Sequence, residues 1–156
     1  MDDDEALAGY ATALADGIEA ALGPWVRRSI TVIAEAWESG LADQLAAPAA
    51  TAADAAAADI VPRVRALLST DVDAQRTGPL AVVREAVRYP TEVLRDAGVP
   101  AIERDPFVIQ AFPEDDYGLV PAAFADLDPR LQEPGMVWGA AKAHVVLARR
   151  RAEGLR

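Results

Sequence analysis

The single histidine, His144, and the run Glu114-Asp115-Asp116-Tyr117 are the residues of this chain best suited to chemistry. An imidazole beside a carboxylate is the common pairing for general acid–base work, because its pKa lies close to neutral. Asp115 or Asp116 converging on His144, with Tyr117 and Trp138 as aromatic walls, would form a small-molecule pocket. Such pockets combine apolar walls with a few aimed polar groups. These five residues are the candidate binding site. Each also has a plainer role. His144 lies on or beside the apolar stripe of a helix, where a histidine packs and makes one hydrogen bond. Neighbouring carboxylates act as turn formers and helix caps, and need not converge on anything. They suit Mg²⁺ or Ca²⁺ chemically, but their spacing matches no EF-hand loop. The Glu-x-x-His pair of di-iron bundles is also missing, because Ala141 stands three residues before His144.

Other chemistries are excluded by composition. The chain has no cysteine, so disulfides, thiolate metal sites and cysteine nucleophiles are ruled out. One histidine falls short of an ordinary zinc site. Neither GxGxxG nor GxxxxGK occurs, and Ser29, Ser39 and Ser69 lack a nucleophile elbow. No catalytic residue, cofactor or metal is assigned. The net charge of −10 is a poor match to nucleic acid or an anionic membrane. The Arg149-Arg150-Arg151 run is the one feature that would contact phosphate. It also reads as the end of a helix, where cations meet the dipole. No apolar run approaches the ~20 residues of a membrane span, and the acidic Asp2-Asp3-Asp4-Glu5 start is unlike a secretion signal. The expected setting is cytoplasmic.

The elements that must position these residues are helices. At 156 residues one domain, 1–156, is expected. The hydrophobic fraction is 52%, but aromatics are only 6%, and alanine carries much of the rest. That balance favours packed helices over a sheet. Val26, Ile30, Ile33 and Trp37 line one stripe of a helix over 24–41, with Pro24 at its first position and Gly40 as a stop. Leu7, Ala11, Leu14, Ile18 and Ala21 line another. With Gly23-Pro24 between them, the two predict an antiparallel hairpin with a short turn. Residues 42–58 are alanine-rich and either helical or a flexible linker. A third helix is expected from Ala52 to Leu68, with a kink or restart near Pro62. Ser69 to Gly78 reads as a loop. A fourth helix opens at Pro79 and is interrupted at Pro90, and a fifth follows in TEVLRDAG. Gly98 can take the left-handed conformation that ends it, with Val99 folding back on Leu94.

From 100 to 134 the prolines at 100, 106, 113, 121, 129 and 134 predict a wrap with short helices at 106–112, 121–127 and 129–133. Asp105-Pro106 and Asp128-Pro129 each read as a cap followed by a first helical residue. Tyr117 to Val120 is expected to be extended, and Phe107, Phe112 and Phe124 are expected to seek burial. A terminal helix over Met136–Ala152 would carry Val137, Ala141, His144 or Val145, and Ala148 on one face. Gly135-x-x-x-Gly139 at its start permits close packing but is common by chance.

The runs PLAVVREAVRYPTEVLRDAGVP and FPEDDYGLVPAAFADLDPRLQEPGMVWGAAKAHVVLARR resemble uncharacterised helical proteins of GC-rich actinobacteria. The resemblance covers the second half of the chain. It implies a bacterial cytoplasmic origin and carries no functional residue across.

The pattern therefore predicts an all-α helical bundle with an N-terminal hairpin and a Pro-rich wrap before the last helix. The expected function is non-enzymatic protein–protein contact, with a homodimer as one form of it. The opposed terminal charge blocks would pair within a fold or across such a dimer. The alternative is a small-molecule-binding protein or enzyme, its pocket lying between the 101–134 wrap and the last helix.

Overall fold

A computed structural model describes residues 3–69, 82–111, 113–119 and 154. The fold is all-α, and among the described residues there is no strand. Helix α1 spans Asp3–Trp37, α2 Leu41–Gln44 and α3 Ala46–Ser69. A 3₁₀ turn, Glu85–Val87, leads into α4, Arg88–Asp96, and α5 covers Pro106–Ala111. Helices α1 and α3 form the main pair, and α4 packs on both.

The predicted hairpin at Gly23-Pro24 is corrected. Helix α1 runs unbroken through Pro24. Leu14, Ile18, Leu22, Val26 and Ile30 are all buried, each four residues after the last. Leu22 thus joins the two predicted stripes into one face. A turn at 23–24 would swing Leu22 and Val26 apart, and each such buried side chain stabilises by roughly 1.5–3 kcal/mol. The helix tolerates the proline because Pro24 lies on the exposed side. Ala20, whose carbonyl loses its usual N–H partner, is exposed as well, so water can serve that carbonyl. Pro62 in α3 repeats the pattern: it and Ala58 are both exposed, and α3 continues past it.

The reversal of direction comes later, at residues 38–45. Gly40 has φ 87°, a left-handed conformation that only glycine adopts without cost. Its N–H donates to Glu35 Oε1 at 2.9 Å, and Leu41 N–H donates to the Glu38 carbonyl at 3.1 Å. Leu41 then drops into the core. The antiparallel register of α1 and α3 shows in two places. Gly23 lies against Ala53, and Arg65 reaches both Asp16 at 2.7 Å and Glu19 at 2.5 Å. Small residues line the contact: Ala49, Ala53 and Ala56 are buried. The alanine-rich stretch is thus the close-packing face of α3, helical from Ala46 rather than from Ala52. Pro48 is accommodated in its first turn, where N–H groups have no helical partner.

Helix α4 carries Pro90 in its first turn, so the expected interruption there does not occur. Its C-terminus follows the prediction. Gly98 has φ 82° and donates to the Arg95 carbonyl at 2.9 Å, while Val99 N–H donates to the Leu94 carbonyl at 3.0 Å. These are the two bonds of a Schellman end, with Leu94 and Val99 both buried.

Of the predicted wrap, 100–111 and 113–119 are described. Asp105 caps α5 as expected, its Oδ1 accepting from the Phe107 N–H at 2.8 Å. Two expectations are corrected. Tyr117 is in a turn, with Gly118 at φ 69°, rather than in an extended segment. Phe107 is 80% exposed rather than buried, and Trp37 on α1 is 55% exposed. The helices expected at 121–127, 129–133 and 136–152 lie outside the described residues.

Candidate functional site

The segment after α4 holds three of the five candidate residues, and its geometry follows from the Schellman end. Gly98 turns the chain out of the helix, and Val99 is pinned in the core. The chain then leaves, forms α5 and returns. On its return the Ile102 N–H donates to the Asp116 carbonyl at 3.0 Å. Asp115 is fully buried. Its Oδ1 accepts from the Leu119 N–H at 2.8 Å and, more weakly, from the Tyr117 N–H at 3.4 Å. A buried carboxylate needs such partners, and here they close the turn. Tyr117 is buried, and its hydroxyl donates to the Val99 carbonyl at 2.7 Å. Burial, and then the negative charge of Asp116, push the Tyr117 phenol above its usual pKa.

Asp116 points to different partners. The Arg95 guanidinium donates to Asp116 Oδ2, and Arg104 Nη2 lies 3.8 Å from Oδ1. The Arg95 hydrogen bond, opposed by partial desolvation, holds the Asp116 carboxyl below the usual carboxylate range. Asp115 Oδ1 thus accepts from backbone N–H groups, and Asp116 accepts from Arg95. Among the described residues no three His, Cys, Asp or Glu side chains gather as a metal would need. Trp138 and His144 lie outside the described residues, so their expected convergence with Asp115 and Asp116 is not part of the observed geometry. What the structure does bring together is Asp115, Asp116 and Tyr117 with Arg95 and Val99. These contacts fasten the segment to the end of α4.

A second polar cluster was missed from sequence. It joins α3 to the start of α4. Tyr89 donates its hydroxyl to Asp59 Oδ2 at 2.6 Å. Arg88 Nη2 lies 3.2 Å from that hydroxyl and 3.4 Å from Asp59 Oδ2, and its guanidinium sits 5.1 Å from the Tyr89 ring centre. Arg63 bridges Asp59 at 3.4 Å and Glu85 at 2.5 Å. The Tyr89 hydrogen bond is the largest influence holding Asp59 below its usual pKa, with Arg63 and Arg88 adding to it and desolvation opposing. Burial raises the Tyr89 phenol, so it stays a donor. The Asp59–Arg63 spacing of four was legible as a helical ion pair. Glu85, Arg88 and Tyr89 join it only through packing. Partly exposed ion pairs of this kind contribute about 0–1 kcal/mol each, so the cluster orients α4 more than it stabilises it.

The described surface also carries large apolar side chains. Val32 is 66% exposed and Trp37 55%, both near the C-terminal end of α1. Phe107, Ile102 and Ile109 are exposed on and beside α5. No described helix is long and apolar enough to cross a membrane.

Compared with known proteins, the chain matches no family model, no curated protein and no solved structure.

Proposed function

We propose that this all-α protein acts through contact with another polypeptide. The observation that supports the reading is the apolar surface: Phe107 and Val32 leave most of their area in water, and Trp37 more than half. Each such side chain forfeits burial energy of roughly 1.5–3 kcal/mol while exposed. An apolar side chain held out on a helix is the kind of group that becomes an anchor in a protein interface. The polar groups of the 115–117 turn support the same reading. Asp115 accepts from Leu119 N–H, Asp116 from Arg95, and Tyr117 donates to the Val99 carbonyl, so these groups bond within the fold.

The test is native mass spectrometry of gently purified protein, followed by sedimentation. A multimer, or a co-purified polypeptide that Phe107→Ser or Val32→Ser releases, supports the reading. A bare monomer at every concentration, with no retained polypeptide, sinks it. An added small-molecule mass that survives desalting would instead favour a pocket near Asp115, Asp116 and Tyr117.

A further inference from the structure

We draw no further inference here: the strongest candidate, the exposed apolar side chains of Phe107 and Ile102 on and beside α5, is an unpartnered surface patch, and nothing in the structure shows what covers it.

Discussion

The Tyr117 hydroxyl donates to the Val99 carbonyl at 2.7 Å, across 18 residues of chain. Val99 is also the residue whose N–H closes the end of α4 on Leu94. One residue therefore ends a helix with its donor and holds the returning segment with its acceptor. Tyr117→Phe keeps the ring and leaves a buried carbonyl without this donor. The expected loss is about 1–3 kcal/mol of unfolding free energy, by urea titration. A variant as stable as the wild type would show that this bond does not fasten the segment.

Pro24→Ala separates a continuous α1 from a hairpin. In an unbroken helix the alanine restores one backbone bond and removes a clash, a change worth up to about 3 kcal/mol. The midpoint of thermal unfolding should rise. If 23–24 were a turn, the same change would lower it.

Gly40→Ala and Gly98→Ala test the two helix ends. An added Cβ meets nothing within 4 Å at either position, so the cost is the left-handed backbone alone. About 1 kcal/mol is expected from each. The two should add, because they close different corners. A neutral result at either would mean that its corner relaxes freely.

Thr91 is buried at 1% exposure, and its Oγ1 has no hydrogen-bond partner among the described residues. An unpartnered buried hydroxyl is a cost, so Thr91→Val should stabilise by about 1 kcal/mol. Differential scanning calorimetry of the two proteins decides it. A loss of stability would reveal a partner for the hydroxyl, such as a buried water.

Acid should loosen the segment after α4. Asp116 has its pKa lowered first by the Arg95 hydrogen bond, and Asp59 first by that of Tyr89. A carboxyl with a lowered folded-state pKa contributes stability that is present above its unfolded value of about 4 and disappears as pH falls through the folded value. Asp116→Asn should be the less stable protein at neutral pH, and the gap should close below about pH 4. A gap of the same size at both ends of the titration would remove Asp116 as its source.

The residues determined the class of fold by themselves. Few aromatics, abundant alanine and apolar spacings of three and four could bury themselves only as helices. Local terminations were equally legible, since they depend on backbone conformation within a few residues: Gly40 and Gly98 both ended helices, and Asp105 capped α5. What only the tertiary structure decided was whether a proline breaks a helix. Pro24 and Pro62 carry the same local penalty as any internal proline. They are tolerated because both face solvent, while Leu22 and Val26 on α1 and Ile60 and Val64 on α3 are held in one continuous core. The partners of Asp116 and Tyr89 were hidden for a related reason. Arg95 is 21 residues from Asp116, and Asp59 is 30 from Tyr89. Separations of that length carry no periodic signal: the packing of α4 on α3 brings Tyr89 to Asp59, and the return of the 113–119 segment onto the end of α4 brings Asp116 to Arg95.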